Sequence, residues 1–436
     1  MDYKKEFMSF INNSPVSFYA VKNVKDKLLE NGFIEVFEGE DYNLQKGGKY
    51  FVVRDDGAII SFKVGEKIDE NSNFLIIASH SDSPCFRLKE EFDVKDNGYS
   101  KVLTKPYGGM LLSTWVDRPL SVAGKLVVNE EGKRVNKLVN IDKDLFIIPN
   151  LCIHFLRDLD VDIKRDIDTF MVPFYGSDEE PTLMDIISHK LQINKEDIIE
   201  HELYAYNRDK VSCFGNNDQF IYGPRLDDLA CVYTSLVAFL ETDNPYSISM
   251  IYVANNEEIG SDTYVGAGGD FFVKTLESIK VSLNINDDMF KKMLENTFFV
   301  SSDNAHAVHP NVIAASHPEK RVLLNGGLAI KRSETNSYTT NDFSSALCEK
   351  IFNDNNIKYQ HFANPIGVRG GSTLGVILLR QQTLVAVDVG IPQLAMHSSF
   401  ESMGTEDIVN AIEAFKAIYL SKIQINNDKF EVEYLK

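Results

Sequence analysis

Two apolar runs constrain the fold of this chain more than any other feature. Phe74-Leu75-Ile76-Ile77-Ala78 and Ile248-Ser249-Met250-Ile251-Tyr252-Val253-Ala254 lack the regular polar alternation of a strand with one wet face. Strands of this kind are covered on both sides, as the central strands of an α/β sheet are. The second run leads directly into Asn255-Asn256-Glu257-Glu258-Ile259-Gly260-Ser261. Neighbouring residues on an extended backbone point to opposite sides, so Glu257 and Glu258 can serve different partners. One carboxylate could bind a metal while the other handles a proton. Taken alone, such a pair reads more simply as a solvated turn, and the rest of the chain has to decide.

Around these runs the pattern is that of strands alternating with helices. Val21, Val24, Leu28 and Leu29 fall on one helical face. Residues 50–53 and 58–62, split by Asp55-Asp56-Gly57, predict a hairpin. Helices are expected at 226–240, 270–279 and 405–420, the last with Thr405 as its N-cap, and strands at 281–285, 297–301 and 382–389. Between about 92 and 222 the texture differs. Short strand-like pieces at 101–104, 120–128 and 169–173 lie among Gly, Asn and Asp turns and charged stretches such as 157–162. The pattern predicts a discontinuous α/β domain, 1–91 and 223–436, with a β-rich domain, 92–222, inserted in it.

Composition narrows the function. A length of 436 residues supports a large core and more than one domain. No run approaches the roughly 20 apolar residues of a membrane span. The opening Met1–Glu6 lacks a signal peptide's apolar stretch, so a cytoplasmic location is expected. The net charge of −19 disfavours nucleic acid and anionic membrane surfaces as partners. Cys85, Cys152, Cys213, Cys231 and Cys348 are scattered and form no Cys-x-x-Cys pair, which argues against a disulfide framework and a thiolate zinc site. They are expected to be buried free thiols.

Ligands of open α/β sheets gather at the carboxyl ends of strands. His80 and Asp82 follow the first apolar run, and Asp227 and Asp228 stand at a helix start. Glu257 and Glu258 follow the second run, Asp303 with His306 and His309 follows residues 298–302, and His397 follows residues 384–390. One histidine at a strand end is commonly structural, but five coinciding ends are not. Imidazoles and carboxylates without thiolates suit zinc or another divalent first-row metal in a hydrolytic site. Two histidines and three carboxylates exceed one four-coordinate ion and fit two ions that share a bridging carboxylate.

The motifs His80-Ser81-Asp82-Ser83-Pro84, Pro224-Arg225-Leu226-Asp227-Asp228-Leu229, Asn256-Glu257-Glu258-Ile259-Gly260-Ser261, Ser302 to Asn311 and Met396-His397-Ser398 occur in one order along the chain. That ordered set resembles the aspartyl aminopeptidase / yeast aminopeptidase I family of cocatalytic zinc aminopeptidases. The likeness covers nearly the whole chain and includes Pro106-Tyr107-Gly108-Gly109 and Trp115-Val116-Asp117-Arg118 in the inserted segment.

The resemblance implies an α/β fold whose central mixed sheet is flanked by helices, with the inserted domain driving dimerisation and dimers building a dodecamer. It implies two divalent ions per subunit, zinc first and cobalt or manganese as alternatives, acting on peptides with a free N-terminus. His80 and Asp303 would hold one ion, Glu258 and His397 the other, and Asp227 would bridge them. Glu257 would be the general base, and Asp82 would orient His80. Substrate-contact positions match His306, Lys331 and Tyr338, and His154 matches a histidine of the inserted domain that makes catalytic sense only in a neighbour's site. Two departures stand out: Asn255 replaces a usual Asp, and Gly367-Val368-Arg369-Gly370-Gly371-Ser372-Thr373 replaces the family's Asp-Met-x-Cys-Gly-Ser-Thr. Neither touches an implied ligand, but the second alters the substrate pocket, where Arg369 is a further candidate for carboxylate recognition. The same ligand set would also support a dinuclear carboxypeptidase or amide deacylase, or survive in a metal-free assembly protein that keeps the fold.

Overall fold

In this computed structural model, residues 2–156, 166–365, 367–368, 370–426 and 428–435 are described. Arg369 and the charged stretch at 157–162 lie outside them.

The two apolar runs form neighbouring central strands, Phe74–His80 and Ile248–Ala254, buried at every position. They run parallel, with Ala254 level with His80, so both end at the same edge of the sheet. Phe298–Ser302 and then Val385–Gly390 continue the parallel set beyond Phe74–His80. Leu328–Arg332 joins antiparallel to Val385–Gly390, and Tyr359–Ala363 closes that side. On the other side Ile248–Ala254 meets the antiparallel hairpin Lys49–Arg54 and Ala58–Val64. With the short Ile34–Glu35 these strands make a mixed sheet of nine.

Alternation along each strand sends side chains to two cores. Leu75 and Ile77, with Ile251 and Val253, pack against helices Tyr3–Asn13, Ser17–Glu30, Leu226–Glu241, Asp342–Asp354 and Thr405–Tyr419. Phe74, Ile76 and Ala78, with Met250 and Tyr252, pack against Phe271–Ser282, Asp287–Glu295 and Leu374–Leu378. Leu226–Glu241 is buried from Leu226 to Phe239, as expected of a helix apolar all round.

A second sheet of six strands is antiparallel throughout and runs from Cys85–Asp96 to Ile198–Asn207, around its own core of Phe86, Trp115, Leu126 and Leu203. The boundary expected at residue 92 falls inside the strand Cys85–Asp96. Ser212–Phe214 and Phe220–Gly223, expected in the insert, pair instead toward Glu401–Gly404 of the α/β part. Backbone pairing keeps Cys85–Asp96 wholly within the second sheet, so that sheet begins at residue 85, after the non-strand link 81–84. The Asp55-Asp56 turn, both residues at positive φ, leans on the second sheet through Lys125.

Other expectations differ locally. Residues 281–285 are no strand: Val281 and Ser282 end the helix Phe271–Ser282, and a turn follows. Their apolar alternation serves the close of a helix whose buried face continues through Ile285. Residues 169–173 form turns, and the strand begins at Phe174. Gly404, not Thr405, is the N-cap of Thr405–Tyr419, because the Thr405 hydroxyl donates to the Asp218 carbonyl while Asn325 Oδ1 accepts the Glu406 amide. Of the five thiols only Cys231 and Cys348 are buried, and Cys152 is exposed.

Candidate active site

The common edge of the parallel strands assembles the site. His80 is the last residue of its strand, and the Ser81 amide still bonds the Ala254 carbonyl at 2.9 Å, which keeps the two strand ends together. Asp303 follows Ser302 of the next strand. Asp227 and Asp228 sit at the start of their helix with non-helical backbone angles and a cis peptide between them. Arg225, Asn256, Ala395 and His397 all adopt positive φ beside the site. Such non-glycine conformations cost energy and persist where surrounding structure enforces them, often at functional sites.

The implied ligands converge. His80, Asp227, Asp228 and Asp303 each offer an atom within 4.8 Å of the others, as do Asp227, Glu258 and His397, so Asp227 belongs to both groups. Its two oxygens face one imidazole each: Oδ1 lies 3.7 Å from His80 Nε2 and Oδ2 lies 3.6 Å from His397 Nε2. Each ring is held by its other nitrogen, His80 Nδ1 donating to the Asp82 carbonyl at 3.0 Å and His397 Nδ1 to the Gly109 carbonyl at 2.8 Å. A carbonyl can only accept, so both Nδ1 atoms carry hydrogen and both Nε2 atoms are left to present a lone pair.

Asp82 takes part from outside the cluster. Its Oδ1 lies 3.4 Å from His80 Nδ1, and its two oxygens accept the Glu257 and Glu258 amides at 3.2 and 3.1 Å. Although burial opposes it, these partners hold its carboxyl below the usual range. The remaining carboxylates go the other way. Burial, reinforced by Asp303, pushes Asp227 well up. Burial takes Asp228 to about 8 and Glu257 to about 8, the latter with Asp303 and Glu258 adding to it. Burial disfavours a charged imidazole, yet Asp228 and Asp82 hold His80 well above the ordinary value, and Glu258 lifts His397 to about 9.

These residues fit a divalent-cation site. Asp227 Oδ1 and Asp228 Oδ1 are buried with no hydrogen-bond partner among the described residues. A buried carboxylate oxygen left bare is costly unless something positive occupies the space it faces. Oxygen and imidazole donors aimed at two adjacent positions match zinc chemistry.

One wall of the cleft, whose interior is about 520 Å³, carries the expected substrate positions. Buried Lys331 lies 3.6 Å from Asp303 Oδ1 and 5.4 Å from the Tyr338 ring centre. Burial works against its charge, but Asp303 outweighs this and keeps it protonated. His306 faces the same space, open to solvent yet flanked by protein, and that crowding with the Lys331 charge keeps its pKa below the usual value. Gly371, Ser372 and Thr373 of the departing stretch line the cleft as well. His154 does not: it is exposed on the short helix Ile153–Leu156 and is not among the residues lining the cleft. His309 is exposed and its Nδ1 accepts the Asn311 amide, a turn contact away from the chemistry.

Three carboxylates of consequence had no role in the sequence reading, and two of them, Glu401 and Asp388, were not singled out there. Asp228 completes the His80 group, and its position next to Asp227 was the available signal. Glu401 is buried and accepts the Asp227 amide at 3.0 Å and the His397 amide at 2.9 Å, and burial raises its pKa to about 7. Asp388 accepts the Thr339 amide and hydroxyl at 2.5 and 2.6 Å and the Thr373 hydroxyl at 2.6 Å. Nothing local marks either residue, because their partners are distant in sequence.

Known proteins identify the family of this chain. The family described as Aminopeptidase I zinc metalloprotease (M18) matches residues 10–419. A probable M18 family aminopeptidase 2 of Clostridium acetobutylicum is 39% identical over 96% of this chain and 99% of its own length. The aspartyl aminopeptidase of Caenorhabditis elegans is 31% identical over 95% of this chain and 94% of its own. The mApe1 dodecamer of S. cerevisiae superposes with a TM-score of 0.84 at 24% identity, covering 96% of each chain. The chain therefore belongs to the M18 family of aminopeptidase I zinc metalloproteases and is a metallo-aminopeptidase that removes N-terminal residues from peptides.

Proposed function

We propose that this chain is a dinuclear zinc aminopeptidase, selective for acidic N-terminal residues, that works in the cytoplasm as a homo-dodecamer built from dimers. The observation that carries the dinuclear reading is Asp227, whose two oxygens face His80 and His397 in turn. His80 and Asp303 would hold one ion and Glu258 and His397 the other, with Asp227 contributing to both. Bound there, the ions supply Lewis acidity, lowering the pKa of an attacking water and stabilising charge on the scissile carbonyl oxygen.

The chain's own residues do the rest. Glu257 accepts the proton of the attacking water and returns it to the leaving amine. Asp82 receives the Glu257 and Glu258 amides on one carboxylate and so fixes base and ligand relative to each other. Lys331, with Tyr338 and His306, receives the side chain of the residue to be removed, and a buried ammonium suits a carboxylate there. The aspartyl aminopeptidase name of a relative and the dodecamer of another support the specificity and assembly. The β-rich insert supplies the dimer contact, and exposed His154 reaches a neighbour's cleft through it.

Elemental analysis joined to kinetics tests this. Wild type should hold two metals per chain, and Asp227→Asn should lose both together with activity. Glu257→Gln should keep both while kcat falls roughly 10²–10⁴-fold. One metal per chain, or two retained by Asp227→Asn, refutes the shared carboxylate.

A further inference from the structure

Within the Pro106-Tyr107-Gly108-Gly109 stretch, the Gly109 carbonyl that holds His397 is one of several contacts with the site. Tyr107 ends the strand Tyr99–Tyr107 of the second sheet, paired with Cys85 at the root of the insert. Its ring packs edge-on against Tyr204, a contact any domain junction could use. Its hydroxyl does something packing does not require. It donates to Asp82 Oδ2 at 2.7 Å and accepts from Asn256 Nδ2 at 2.9 Å, with both Tyr107 and Asp82 buried. Asn256 is in turn fixed by the Thr263 hydroxyl at 2.8 Å.

The next two residues reach the opposite side of the site. Gly108, at φ +72°, passes so close to Glu258 that an added Cβ would lie 3.0 Å from the Glu258 Cβ. The Gly109 carbonyl takes the His397 Nδ1 hydrogen, and the Leu111 amide bonds the His397 carbonyl at 3.1 Å. A single turn of the second sheet therefore touches Asp82, Glu258 and His397, which lie on three separate segments of the α/β part.

We propose that the Tyr107–Gly109 turn is a positioning element through which the inserted sheet sets the geometry of the metal site, resting on the ligand set proposed above. Tyr107 acts through Asp82, which it orients by a hydrogen bond to a charged acceptor. Gly108 fixes how near the turn can come to Glu258, and Gly109 selects the His397 tautomer. The catalytic centre is then a property of the docked pair of sheets.

The test compares Tyr107→Phe with Tyr204→Phe, a control that removes a hydroxyl from the same aromatic pair without touching Asp82. Zinc affinity is read by chelator competition, and kcat and KM are read separately. Loss of a group that orients a metal ligand costs about 10–100-fold in affinity or activity. Tyr107→Phe should therefore bind zinc at least about tenfold more weakly and lose about tenfold in kcat, with KM within about twofold. Tyr204→Phe should match wild type in both. Gly108→Ala, which presses on Glu258, should weaken zinc further, and it carries the test if Tyr107→Phe does not fold. Unchanged zinc affinity and kcat in a folded Tyr107→Phe or Gly108→Ala overturns the proposal. Losses that Tyr204→Phe reproduces equally also overturn it. Failure of the ligand set itself is distinguishable, since wild type would then lack two zinc equivalents or Glu258→Ala would keep both.

Discussion

Replacing Lys331 with methionine should remove discrimination for acidic N-terminal residues while sparing the chemistry. Methionine keeps the unbranched stem and deletes the charge. The ammonium is 3.6 Å from Asp303 Oδ1, and a substrate carboxylate at a like distance would gain about 4–5 kcal/mol at an effective permittivity of 20. Taking that carboxylate out of water offsets about half, leaving about 2–3 kcal/mol of preference, or roughly 30–150-fold. The assay is kcat/KM for Glu-, Asp-, Leu- and Lys-nitroanilides, wild type against Lys331→Met. The Glu-to-Leu ratio should fall by that factor, with Leu turnover changed by less than about threefold. A ratio that stays constant while all substrates fall together would show that Lys331 serves Asp303 and not the substrate.

Two further outcomes follow from buried carboxylates away from the ligands. Asp388→Asn takes the charged acceptor from all three hydrogen bonds to Thr339 and Thr373 and leaves at least one of them facing an NH2 group that cannot accept, so KM should rise about tenfold with kcat within about twofold; a fall in kcat alone would place Asp388 in the chemistry instead. Asp407 accepts the Asn325 and Gly327 amides, and burial lifts its pKa to about 6. The folded protein therefore holds a proton that the unfolded chain releases near pH 4, and stability drops by about 2–3 kcal/mol as pH rises through roughly 4 to 6. Asparagine does not titrate, so urea unfolding should find Asp407→Asn worst relative to wild type at pH 4.5 and closer to it at pH 7. A gap independent of pH rules this out.

The central architecture was legible because it rests on continuous apolar runs, and a run covered on both faces leaves few alternatives. Part of the site was legible for a related reason: His80, Glu257 and Asp303 are the first acids or histidines to follow apolar runs. What stayed hidden depends on contacts made across the fold. Glu401 joins Asp227 to His397 from a strand that has no distinctive sequence around it. Thr405 has the chemistry of an N-cap, but Asn325 arrives from a distant loop to receive the Glu406 amide. The 281–285 alternation imitates a strand because Val281 and Ile285 straddle a helix end where only part of the surface is covered. Near residue 92 the composition changes while the backbone pairing does not, since Cys85–Asp96 pairs only within the second sheet.

The level register of His80 and Ala254 has a consequence on the scale of amide exchange. Amides in fully buried central strands exchange only when the molecule opens globally, whereas exposed loop amides exchange by local opening. The ends bearing His80, Glu257 and Asp303 extend from the slow class. The wall around Tyr338 does not, since Glu334, Thr335 and Asn336 are exposed and the segment is pinned to the sheet through Asp388. Deuterium uptake should therefore divide the cleft along its length, with a protected floor where the bond is cut and a fast-exchanging wall where the residue is chosen. A chain built this way can drift in what it accepts while the cutting geometry stays fixed.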